Sequence, residues 1–223
     1  MSLDRLFDEV AEFLASRGTN VTRCEGQRLS QDEIDEIERT VALPLPGDFR
    51  GYLSELGDGF AFQYDWKWSE NQPAEFCSWQ LMTVEDLLSR RNDQQFLMQA
   101  VEKGQGASYG FGDRTAEEME RAKKRFKWLQ ITDSCYCFSL DTSQSPSPVH
   151  CQDINYGATE PIESSLIVGT SLNDWIHQWS RYCFSNPAPD GKPYLFETFA
   201  GRRSGLFDWA PHHFFPKLDR LAR

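Results

Sequence analysis

Leu43-Pro44-Leu45-Pro46 places two prolines two residues apart in a stretch that reads as helix on either side. A proline removes a backbone donor and clashes with the carbonyl four residues earlier, so no helix passes through this segment. The chain must turn here and present two separate helices. On the N-terminal side, Ser30-Gln31-Asp32-Glu33 reads as a capping box, and Ile34, Ile37 and Val41 mark one face of the helix it opens. On the C-terminal side, Pro46 suits the first turn of a second helix. That helix has Phe49, Tyr52, Leu53 and Leu56 on its apolar face and closes at Gly57.

Two amphipathic helices need an apolar surface to cover, and the following residues supply one. Asp58-Gly59 is a turn signal, after which Phe60, Phe62, Tyr64 and Trp66 alternate with Ala61, Gln63, Asp65 and Lys67 at period two. A strand with one aromatic face is expected, then a loop over 69–75 and a second strand within 76–82. Ahead of the elbow, Leu3, Leu6, Phe7, Val10, Phe13 and Leu14 keep helical spacing between Ser2 and Gly18. The residues between that helix and Ser30 read as a polar connection. Downstream, Thr83 caps a helix carrying Val84, Leu87 and Leu88, and a weaker helix is expected over 93–103, followed by a glycine-rich loop to Arg114.

A second capping box, Thr115-Ala116-Glu117-Glu118, opens a helix that ends in Arg121, Lys123, Lys124, Arg125 and Lys127. Acids early and bases late complement the helix dipole, which accounts for the basic run without an anion site. Strands are expected at 128–131, 135–141 and 149–153, and 166–168 is a short apolar run. A last helix from Leu172 shows Trp175, Ile176, Trp179 and Cys183 on one face and stops at Asn186-Pro187. This order predicts an α+β fold, an antiparallel sheet flanked by helices, with an N-terminal helix and an aromatic, proline-rich C-terminal extension.

The 223 residues are 39% hydrophobic and 13% aromatic, enough for a packed core without a disulfide or metal staple. Six cysteines are expected to be reduced, because Asp4, Asp8, Glu9 and Glu12 stand where an export signal would be cationic and then apolar. A cytoplasmic location, with no membrane partner, is the corresponding expectation. Net charge is −11, and 13 of the 34 acids against 6 of the 23 bases fall in the first 60 residues. Nucleic acid is then a poor partner and a basic protein a good one.

Residues capable of chemistry give weak patterns. Cys135 and Cys137 share a strand face near His150 and Cys151, but the spacing is not that of a zinc site, and buried thiols are common in strands. The glycines at 104, 106, 110 and 112 lack the Lys-Ser/Thr of a phosphate loop. No catalytic residue, metal or cofactor is expected. The strongest candidate is instead a partner-binding surface. Asp32, Glu33, Asp35 and Glu36 form a carboxylate row, to which the turn, the aromatic strand and its loop add Asp58, Tyr64, Asp65, Trp66, Trp68 and Glu70. Acids would steer a basic partner and aromatics would hold it. A plain solvated helix face is the simpler alternative.

A set of residues resembles the SUKH superfamily, the Smi/Knr-type domain. It comprises Leu29-Ser30 with Glu33, Ile34 and Glu38, then Leu45-Pro46-Gly47-Asp48-Phe49, Leu53 and Gly57 to Gly59. Phe138-Ser139-Leu140-Asp141 followed by Val149, and the helix from Leu172 to Trp179, extend the likeness. It implies a SUKH-like domain over 29–183, past which the chain extends as a helical segment over 1–28 and a C-terminal extension over 184–223, whose many aromatics predict that it packs on the core. It also implies a non-enzymatic role. In bacteria such domains commonly act as immunity proteins that bind and neutralise a cognate secreted toxin, frequently a nuclease. In fungi, related domains act as regulatory adaptors.

Overall fold

The computed structural model describes residues 2–16, 18–66, 75–105, 108, 114–132, 136–153 and 166–177. At the elbow, α2 (Gln31–Val41) is opened by the Ser30–Glu33 capping box and ends on Ala42 in the left-handed conformation, φ 51°. After the prolines, α3 (Gly47–Glu55) starts from Pro46. Glu38 fastens the joint, since one of its oxygens accepts from the Leu45 amide at 3.0 Å and from the Arg50 guanidinium at 2.7 Å. The amide freed by the helix break is thereby satisfied.

The aromatic alternation forms β2 (Ala61–Trp66), which lies between β1 (Val21–Cys24) and β3 (Glu75–Gln80) in an antiparallel sheet. A second antiparallel sheet runs in the order β4 (Leu129–Gln130), β5 (Tyr136–Leu140), β6 (Val149–Asp153), β7 (Leu166–Gly169). The fold is α+β, with two small sheets where the sequence suggests one. They adjoin just past β3, where the Met82 amide donates to the Ile131 carbonyl at 2.9 Å.

One core serves both sheets. α1 (Leu3–Ser16) inserts Phe7, fully buried, among Phe60, Phe62 and Trp79 at centroid distances of 4.8–5.3 Å. Phe138 of β5 stacks on Trp175, which in turn meets Trp79 at 6.1 Å. Residues 172–177 are helical, and Asp48 at the start of α3 accepts from the Asn173 amide.

α4 (Val84–Glu102) is one 19-residue helix where two shorter ones are expected from sequence. Its middle is fixed by Arg91, a buried cation whose Nε donates to the Val41 carbonyl at 2.8 Å and whose Nη1 donates to the Phe126 carbonyl. Those carbonyls belong to the C-terminal ends of α2 and of α5 (Ala116–Arg125), where the helix dipole favours a positive charge. Burial holds the Arg91 pKa below its usual value. Among the described residues, no helix is long and apolar enough to cross a membrane. Trp68, Glu70, Trp179, Cys183 and the extension over 184–223 lie outside the described residues.

Candidate functional site

Helical spacing divides the acidic row of α2 into an outer and an inner set. Ile34, Ile37 and Val41 are buried, so residues 32, 33 and 36 point outward, with 35 and 38 along the edge toward α3. On that edge Arg50 reaches across from α3 and pairs with Asp35 and Glu38. Both edge acids therefore hold the helix pair together. Glu33 closes the capping box, and its bonds to the Ser30 amide and hydroxyl hold its carboxyl below the usual range. Glu36 pairs with Arg39 in the open. Asp32 is exposed.

Of the other candidates, Asp58 and Tyr64 serve the fold itself. Asp58 works inside the fold. Its backbone pairs both ways with Gln27 at 2.8 Å, and Oδ1 accepts from the Val84 amide at the start of α4. A carboxylate there satisfies an otherwise orphaned N–H and complements the dipole. Tyr64 is buried in the aromatic cluster, 5.9 Å from Phe62, so its ring serves the core. Asp65 lies partly exposed and accepts from Asn20 Nδ2 at 3.0 Å. Trp66 ends β2 opposite Glu75.

A second acidic group, not singled out in the sequence, surrounds Arg23 of β1. Arg23 pairs with Asp4 and Asp8 of α1 and with Glu25, and Arg28 also reaches Asp4 at 3.1 Å. Burial alone would lower the pKa of Arg23, but the bond to Asp4 and the charges of Glu25, Asp4 and Asp8 outweigh it and raise the value. The sequence carried a signal for this in the i, i+4 spacing of Asp4 and Asp8 on one face of α1. Asp4 thus ties the start of α1 to the link that enters α2. The carboxylates of α1, of that link and of α2 lie on neighbouring elements.

Of the cysteine and histidine cluster, Cys135 and the side chain of Cys137 lie outside the described residues. Cys151 forms no disulfide and lies in the main core with Phe138, Leu140 and Val149, whereas His150 takes the opposite face of β6, stacked on Trp128 at 4.2 Å. Adjacent strand residues point to opposite faces, so these two cannot share one ion. Cys24, the other described free thiol, sits on β1. Among the described residues, no group of three or more His, Cys, Asp or Glu side chains is placed to hold a metal ion.

Fold and surface together define a class: an α+β protein whose N-terminal helices carry a carboxylate-rich exterior braced by arginines. Compared with known proteins, the chain matches no family model and no curated sequence.

Proposed function

We propose that the chain is a non-enzymatic, SUKH-like immunity protein that acts in the producer's cytoplasm by binding a basic cognate toxin domain and covering its active site. The observation that carries this reading is the outward carboxylate surface of α1, the β1–α2 link and α2, in which Asp8, Glu25, Asp32 and Glu36 are all exposed. Such a surface raises the encounter rate with a cationic cleft, while an interface of about 1,600 Å² sets the residence time. The family likeness supports it from another side. Ser30, Glu33, Glu38, Asp48 and Gly57, which carry the resemblance, stand at the joints of this chain's fold. Trp66, Trp68 and Glu70 are proposed as further contacts with the partner.

The test begins with recovery of partners by the tagged protein from its native organism across a salt series. A single basic toxin domain, released as salt rises, is the expected result. Asp32→Lys with Glu36→Lys is then expected to slow association about tenfold or more while changing dissociation little, measured by surface plasmon resonance. These two positions are chosen because Glu33 and Asp35 also brace the fold. Unchanged association removes the steering role, and recovery of regulatory proteins alone transfers the reading to an adaptor.

A further inference from the structure

The β5–β6 hairpin has two faces, and only one belongs to the main core. Phe138, Leu140, Val149 and Cys151 take that face. On the other, His150 stands opposite Ser139 in register, and both are buried, at 4% and 5% exposure. Trp128 follows the last turn of α5 and lies on His150 with ring planes 24° apart. Arg125, from that last turn, holds its guanidinium carbon 5.8 Å from the Trp128 ring centre. The indole thus joins the end of α5 to the hairpin, with a cation of α5 close by. A hydrogen bond from the Thr142 hydroxyl to the Lys127 carbonyl, at 3.1 Å, reinforces the join.

Two charged groups among the described residues act on the imidazole. Asp141, two residues beyond Ser139, would welcome a proton on His150, but its carboxylate is engaged by the Ser143 amide, the Ser143 hydroxyl and Gln144 Nε2 within its own turn. Arg125 from α5 opposes a second positive charge. Burial outweighs both, and with Arg125 it pushes the imidazole down to about 4 against the pull of Asp141.

We propose that the Trp128–His150 stack is a proton-operated clasp, which holds the end of α5 on the β5–β6 hairpin near neutral pH and lets it open in acid. The sign follows from linkage. An opened His150 regains solvent and its ordinary value of about 6.5, so between that and about 4 the open form takes up the proton and the closed form does not. Stability of the closed form is full above this window and falls as pH drops through it. The Phe126 carbonyl, held by Arg91, keeps the opening local.

Hydrogen exchange of the full chain, corrected for the intrinsic pH dependence, tests this. Protection over residues 121–130 is expected to fall about 40-fold between pH 6.5 and 4.5, roughly five- to sevenfold per unit, while 3–16 and 61–66 keep theirs. His150→Phe keeps a ring for the stack and cannot take a proton, so it is expected to flatten the profile. Flat wild-type protection, equal loss in 3–16 and 61–66, or the same slope in the variant would each overturn the clasp. Should the variant not fold, NMR titration of His150 in the wild-type chain decides. A midpoint near 4 with coupled shifts at Trp128 sustains the clasp, and one near 6.5 ends it.

Discussion

Gly57 sits at φ +94° where the segment entering α2 crosses the end of α3, and a Cβ there would lie 2.5 Å from the Gln27 carbonyl carbon. Gly26 meets the same crossing from the other strand, where a Cβ would lie 2.6 Å from the Gly57 oxygen. The paired Gln27–Asp58 hydrogen bonds need the two backbones this close. Gly59 shares the left-handed conformation, at φ +76°, but faces open space. Gly57→Ala is therefore expected to cost about 2–4 kcal/mol, from conformation plus collision, and Gly59→Ala about 1–2 from conformation alone. Urea midpoints at unchanged slope would measure both, and equal losses would refute the crossing as the cause. At this scale the sequence was only half legible. The Asp58-Gly59 turn and the acids of α2 could be read from neighbours, but the engagement of Asp35 and Glu38 by Arg50 depends on a partner 12–15 residues away, across the elbow. Nor did alternation reveal that Tyr64 belongs wholly to the core, because period two assigns a face and not its depth.

Among elements, those written in local chemistry were legible and those made by tertiary partners were not. Both capping boxes form as spelled, with Ser30 reaching Glu33 and Thr115 reaching Glu118. β1 reads as a polar connection because Val21 is the one aliphatic side chain in its four residues, and it is a strand because Thr22, Arg23 and Cys24 find Gln63, Phe62 and Ala61 across the sheet. α4 looks divided in sequence because its apolar residues follow no single stripe. It holds together around Arg91, whose acceptors among the described residues, Val41, Phe126 and the Gln94 side chain, are all carbonyl oxygens. Arg91→Met keeps the stem and removes the donors, stranding the Phe126 carbonyl in the interior and leaving the Val41 carbonyl with the long bond from Gln95 Nε2, at 3.4 Å. A loss of about 2–4 kcal/mol is expected by chemical denaturation, with earlier hydrogen exchange at the ends of α2 and α5. Arg91→Lys is expected to recover only part of it, since one ammonium does not span both carbonyls in the guanidinium's fork. Full rescue by lysine would show that charge alone, and not the shape of the fork, joins the two helices.

For the molecule as a whole, α1 covers the aromatic face of the first sheet. It supplies Leu3, Leu6, Phe7, Val10 and Leu14 to the buried set, and Phe7 packs against rings from the turn before β2, from β2 itself and from β3. Its polar ties are of another kind. Asp8 is mostly solvated in its pair with Arg23, and pairs of that exposure contribute about 1 kcal/mol or less. Apolar burial, at about 1.5–3 kcal/mol for each fully buried side chain, therefore dominates the attachment of α1. Phe7→Ala is expected to lower stability by about 3–5 kcal/mol, against about 1 or less for Asp8→Asn. Deleting residues 1–18 is expected to go further, because Phe60, Phe62 and Trp79 would lose the helix that covers them. Such a chain should bind a hydrophobic dye and lose its cooperative thermal transition. A truncated chain that melts cooperatively near the full-length temperature and binds no dye would place α1 outside the core, and the rest of the fold would then be held without it, by contacts such as Trp79–Trp175, Met82–Ile131, Asn173–Asp48 and the Arg91 bridge.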